Sequence, residues 1–140
     1  ELNKVPNITT IKEAAGSVDQ VSQILSLCDI NVLSGDDSLT VPMMAVGANG
    51  VISVAANVVP AKMAQLCVDC AKGDYAAARK LHYELMPLFK ALFIETNPMP
   101  VKAALARMGL IKNILRLPLT PMLDNTFAQL ENVLKQLSLV

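Results

Sequence analysis

Three short runs rich in β-branched residues, each followed by a helical pattern, constrain this chain more than any other feature. Asn7–Lys12 (N-I-T-T-I-K), Ile30–Ser34 (I-N-V-L-S) and Gly50–Val54 (G-V-I-S-V) read as strands. After the first, Ser17 is placed to cap a helix carrying Val18, Val21, Ile24, Leu25 and Cys28 at helical spacing. After the second, Gly35 ends the strand and Asp36, Asp37 or Ser38 caps a helix through Met43, Met44 and Val46 to Gly47. After the third, Asn57 and Pro60 open a helix that runs to Ala71. Three consecutive βα units predict an α/β fold with parallel strands, because parallel neighbours need crossover helices. A repeat of roughly 20 residues is short for most doubly wound sheets but suits a (β/α)₈ TIM barrel.

After Gly73 the strand signals stop. Asp74 caps a long helix through Leu81, Leu85, Leu88 and Phe93, with Pro87 inside it predicting a kink or break. Asn97-Pro98 opens a second helix that stops at Gly109, and Arg116–Pro121 (R-L-P-L-T-P) is an extended linker. Met122–Leu137 makes a third, with Leu123, Phe127, Leu130, Val133, Leu134 and Leu137 on one face. The expected organisation is therefore three βα units over residues 1–73 and a three-helix extension over residues 74–140.

The length of 140 residues is ordinary for one domain. A complete (β/α)₈ barrel, however, typically takes about 250 residues, so the pattern predicts part of a barrel. The chain opens on Glu1 rather than Met, which fits that expectation. With 53% hydrophobic and 17% charged residues the composition excludes disorder. Mean hydropathy is +0.43, high for a water-facing domain, as though some surface expects to be covered. The most apolar stretch, Val51–Val59, already contains Ser53 and Asn57, well short of the roughly 18 uninterrupted apolar residues of a membrane span. No charged segment leading into an apolar one opens the chain, so no secretory leader is expected.

Charge argues against a nucleic-acid partner. Residues 1–40 carry six acidic side chains against two basic ones, and residues 41–140 six against ten. The basic excess is spread along several helices, without clustering or interleaved aromatics. Three cysteines make no disulfide framework, and their odd number suits a reducing compartment. Cys67-x-x-Cys70 falls within a helical pattern, and the chain holds a single histidine, His82. A zinc site needs about four ligands, so these cysteines read as helix thiols and no metal is expected.

In parallel α/β proteins ligands meet the C-terminal ends of the strands. Those ends hold Lys12 with Glu13, then Ser34-Gly35-Asp36-Asp37, then Ser53 with Asn57. A lysine that ends an apolar strand inside a barrel mouth loses solvent, which favours the neutral amine. A neutral amine attacks carbonyls to give a Schiff base. The plainer reading of the residue alone is that Lys12 reaches solvent past the strand end. Asp36 and Asp37 suit acid–base work or Mg²⁺ ligation, but their place just after Gly35 suits helix capping better. Gly35 marks either a tight turn or a close approach to a ligand. His82 lies mid-helix, away from any strand end. No nucleophile elbow, phosphate loop or dinucleotide fingerprint is present.

Five blocks carry a family resemblance, in order along nearly the whole chain: Thr10-Ile-Lys-Glu-Ala-Ala-Gly16, Leu33-Ser-Gly-Asp-Asp37, Gly50-Val-Ile-Ser-Val-Ala-Ala-Asn57, Asn97-Pro-Met-Pro-Val-Lys102 and Arg116-Leu-Pro-Leu-Thr-Pro121. Together they resemble the C-terminal half of the dihydrodipicolinate synthase family, Schiff-base aldolase-type TIM barrels with a C-terminal helical extension. The resemblance implies a lyase that condenses pyruvate with aspartate semialdehyde on the route to diaminopimelate and lysine. It implies Lys12 as the Schiff-base lysine, with Gly35 and Ile52 lining the pyruvate site, the glycine through its backbone. It further implies no cofactor, a cytoplasmic homotetramer, and an upstream barrel half that supplies the proton relay and the arginine for the aldehyde's carboxylate. Tyr75 and Tyr83, in the helical extension, do not take over those roles.

Two other readings stay open on sequence. One is a sibling pyruvate lyase with the same lysine chemistry, of the N-acetylneuraminate lyase or keto-deoxy-sugar acid aldolase type. The S-G-D-D and R-L-P-L-T-P blocks favour the synthase. The other is a non-catalytic half-barrel that serves as an assembly module, suggested by the unpaired edge that three parallel strands leave.

Overall fold

A computed structural model describes residues 1–140. Three parallel strands, β1 (Thr10–Glu13), β2 (Asn31–Ser34) and β3 (Gly50–Val51), form one sheet in the order β1-β2-β3. Six α-helices follow or separate them: α1 (Val18–Leu27), α2 (Thr40–Ala45), α3 (Pro60–Ala71), α4 (Tyr75–Ala91), α5 (Met99–Arg107) and α6 (Asp124–Gln136). The α/β class and the parallel order are those expected. No helix is long and apolar enough to cross a membrane.

The chain divides into two compact units, residues 1–53 with 61–82, and residues 54–60 with 83–140. In the first, alternation along the strands separates two faces. Val32, Glu13 and Ser34 are buried on the face toward the helices, whereas Thr10, Lys12 and Asn31 on the other face are exposed. Val21 of α1, Val32 of β2, Met43 of α2, Leu66 of α3 and Ala78 of α4 make a fully enclosed core. Helix α1 starts where Ser17, in extended conformation, accepts the Gln20 N–H on its hydroxyl at 3.1 Å. β1 is an edge strand, and beside it a groove of about 420 Å³ is lined by Leu2, Ile8, Ile11, Ile24, Leu27 and Ile30.

In the second unit α5 and α6 pack together over Ala103, Ala104, Leu130 and Leu134. The start of α6 has no capping side chain of its own. Glu95 supplies one from a distance, accepting the Leu123 N–H at 3.0 Å and the Thr126 hydroxyl. At the surface Glu131 accepts Lys135 at 2.8 Å and Arg107 at 2.6 Å. These hydrogen bonds, that from Lys135 first, bring the Glu131 carboxyl down to about 2 from 4.5. A carboxyl lowered on folding stabilises above its ordinary value and loses that contribution as pH falls toward its folded one. Glu131→Gln is therefore expected to lower the melting temperature slightly near neutral pH and low salt. The difference from wild type should vanish as the pH approaches about 2, and shrink with added salt because the pair is exposed.

Several boundaries differ from the sequence reading, for reasons in the ladder. β1 is Thr10–Glu13 rather than residues 7–12, because pairing with β2 begins at Thr10 opposite Asn31. β3 keeps only Gly50 and Val51, since β2 offers partners no further than Ser34. Helix α4 runs unbroken through Pro87. Pro87 has no N–H to donate within the helix and stands at an exposed position. Helix α5 begins at Met99, with Pro98 outside it and Pro100 in the first turn.

Candidate active site

The residues singled out at the strand ends converge at the C-terminal edge of the sheet. Lys12 pairs in register with Leu33, and Leu33 with Gly50. Counting in twos from that row puts Lys12, Leu33, Gly35 and Ile52 on the open face of the sheet, opposite the helices. The ladder continues past the strands: Gly35 N–H donates to the Glu13 carbonyl at 2.6 Å, and Ile52 N–H to the Ser34 carbonyl at 2.8 Å. Lys12 is exposed and Ile52 is 48% exposed. These 140 residues therefore do not themselves supply the desolvation that a nucleophilic lysine needs.

Gly35 is there for space. A Cβ built on it would lie 2.9 Å from Lys12 Cε, 2.6 Å from Ala14 Cβ and 2.7 Å from the Glu13 carbonyl oxygen. Its φ is not among the positive ones, so close approach, and not left-handed backbone, is what the position demands. The lysine stem crosses the bare Cα, and the Gly35 N–H is spent on Glu13. Sequence alone left a tight turn and a close approach to a ligand open; the crowding seen at Gly35 comes from the chain's own Lys12, Ala14 and Glu13.

Of the acidic pair after Gly35, Asp36 serves the fold directly. Asp36 accepts the Ser38 N–H and the Ser38 hydroxyl, each at 2.9 Å, capping the short 3₁₀ turn Asp37–Leu39. Ser34 Oγ donates to the Asp36 carbonyl at 2.7 Å and locks the same turn. Asp37 is buried at 2% exposure near Cys67. Burial first, and the Asp37 charge second, push the Cys67 thiol up. Cys70 is raised for the same leading reason, so both helix thiols stay protonated and poorly nucleophilic. Burial holds the His82 imidazole below its usual range, and His82 lies on α4, apart from the strand ends. No three His, Cys, Asp or Glu side chains converge on a point where a metal ion would be held.

One residue of the site had no role assigned from sequence. Glu13 stands next to Lys12 but faces the helices, only 3% exposed. Its alternation partner in the strand was the available signal: a carboxylate at an inward position of an apolar run.

A lysine is laid across a bare glycine at the C-terminal edge of a parallel sheet, the edge at which α/β folds in general meet their ligands. The profile of the Dihydrodipicolinate synthetase family matches residues 1–137, and the chain belongs to that family. It is 52% identical over 143 aligned positions to the 4-hydroxy-tetrahydrodipicolinate synthase of Methanosarcina mazei, covering 100% of this chain and 49% of that protein. Among solved structures, the dihydrodipicolinate synthase of Thermotoga maritima superposes with a TM-score of 0.95 at 44% identity, over 99% of this chain and 49% of that one. The Acinetobacter baumannii enzyme, solved in complex with pyruvate, gives 0.95 at 38% identity over 99% of this chain and 48% of its own. The chain thus spans about half the length of the relatives it matches.

Proposed function

We propose that this chain is the C-terminal half of a pyruvate-condensing TIM barrel, with residues 1–73 forming its last three βα units and residues 74–140 its helical extension. The observation that carries this reading is the passage of the Lys12 stem over Gly35 at the sheet's C-terminal edge, with Ile52 beside it. Neutral Lys12 attacks the keto carbon of pyruvate and, with loss of water, forms an iminium. That iminium withdraws electrons, so the methyl carbon loses a proton and becomes an enamine. The enamine carbon adds to the aldehyde of aspartate semialdehyde. Attack by the substrate's own amine then closes the ring and releases Lys12. Gly35 and Ile52 line the pyruvate subsite. The proton relay, the remaining strands and the surface that desolvates Lys12 belong to an upstream half, and the completed enzyme is a cytoplasmic homotetramer. Exposed Ile11 on β1 and Ile52 just past β3, and the apolar groove along the free edge of β1, support a partner half that covers them.

Borohydride trapping tests the proposal. The 140 residues joined to an upstream barrel half, incubated with pyruvate and reduced, are expected to carry a pyruvate adduct on Lys12 by mass spectrometry. The 140 residues alone are expected to give none, or very slow trapping, because the relay and the desolvating surface are elsewhere. No adduct in the completed barrel sinks the reading.

A further inference from the structure

Burying a carboxylate is costly unless its oxygens are satisfied, and Glu13 is served only in part. Oε1 accepts the Ala15 N–H at 2.8 Å. Oε2 is buried and has no hydrogen-bond partner. The Glu13 carbonyl accepts the Gly35 N–H at 2.6 Å, and its Cα is in register with Ser34. A single residue thus grips two things at once. Its side chain ties down the Glu13–Ala15 turn by which β1 exits, and its carbonyl draws Gly35 under the Lys12 stem.

Ala14 lies inside that tied turn, and it is one of the atoms that crowd Gly35: a Cβ there would stand 2.6 Å from Ala14 Cβ. If the turn relaxes, the Ala14 wall moves, and with it the spacing between the Lys12 stem and the bare glycine. We propose that Glu13 is a positioning residue for Lys12, its Oε1 fixing the exit of β1 so that Lys12 and Gly35 keep the spacing that Schiff-base formation needs. This rests on the Schiff-base role proposed above. The function needs an acceptor oxygen at Oε1 and no charge, because Oε2 has no donor to lose.

That distinction gives the test. Glu13→Gln keeps the acceptor and removes the charge; Glu13→Leu keeps the bulk and removes the acceptor; Glu13→Ala removes both. In the completed barrel, the rate of pyruvate trapping at saturating pyruvate is expected to stay within about threefold of wild type for Glu13→Gln. It should fall on the order of 10²-fold for Glu13→Leu and Glu13→Ala, the scale of a displaced reacting group. The pyruvate concentration for half-maximal rate should move little, since Glu13 faces away from the pyruvate subsite. Circular dichroism checks that each variant folds. The role is overturned if Glu13→Leu or Glu13→Ala traps at the wild-type rate, if Glu13→Gln falls as far as Glu13→Leu, or if neither acceptor-free variant folds. A wild-type barrel that traps no pyruvate overturns the Schiff-base reading, and this one with it.

Discussion

Gly35→Ala is expected to stop pyruvate capture by Lys12 in the completed barrel while the rest of the chain stays folded. The new Cβ would meet three atoms at 2.6, 2.7 and 2.9 Å. Only the last, Lys12 Cε, belongs to a flexible side chain; the Ala14 Cβ and the Glu13 carbonyl move only with the backbone. Relief therefore means parting the ends of β1 and β2, which lengthens the Gly35–Glu13 hydrogen bond now at 2.6 Å. Overpacking of this kind costs about 1–3 kcal/mol in stability. A shift of roughly 1 Å in a reacting group costs about 10²-fold in rate. The expected result is a trapping rate at least about 10²-fold lower, with a melting temperature lower by a few degrees. Gly16→Ala is the control. Gly16 has a φ of +77° and nothing within 4 Å of a built Cβ, so alanine there strains the backbone without placing an atom against Lys12, and its loss of trapping is expected to be smaller than that of Gly35→Ala. Trapping by Gly35→Ala at the wild-type rate would remove Gly35 from the pyruvate subsite.

The contrast between those two glycines shows what the sequence could and could not say. Both follow a strand closely, and the residues around each give no sign of which demand it meets. Whether a glycine is needed for its backbone angle or for its missing side chain depends on atoms from another strand, which no local pattern reports. Capping was legible because it is local: Ser17, Asp36 and Asp74 each accept a backbone N–H two or three residues on. The parallel order was legible from the alternation of strand and helix periods. Strand ends were not, because the length of β3 is fixed by where β2 stops. Of the kink or break that Pro87 offered, the break does not occur: α4 stays continuous, with Pro87 at an exposed position.

For the site, chemistry named Lys12 only as one of several strand-end residues, and the blocks around it made the resemblance specific. The degree of burial was out of reach. Lys12 reads as a residue of a closed barrel mouth, but the open face on which it stands is exposed here. Apolar side chains are left at the surface both there, at Ile52, and beside the outer edge of β1, at Ile11 and Leu27, in keeping with a mean hydropathy of +0.43. Glu13 went without a role because its partners, Ala15 N–H and the Gly35 turn, are met only after the strand has ended.

Lys12→Arg is expected to abolish the borohydride-trapped adduct and to cut turnover by at least about 10⁴-fold, the scale of losing a covalent nucleophile. Lys12 is the only lysine on the three strands, so no neighbour on the sheet can replace it. Arginine keeps the charge and most of the length, but its guanidinium stays protonated and has no free electron pair to attack a carbonyl. Because Lys12 is exposed, the substitution should change stability by no more than about 0.5 kcal/mol. The informative result is thus a pair of readouts: unchanged melting and unchanged assembly with the upstream half, together with complete loss of the adduct. Activity that survives Lys12→Arg, or an adduct on another lysine in the variant, would displace the nucleophile from β1. If wild type and variant assemble equally well and neither captures pyruvate, the chain acts as an assembly module. Gel filtration and mass spectrometry on the same two samples distinguish these outcomes, because lysine chemistry and barrel closure then separate at one side chain.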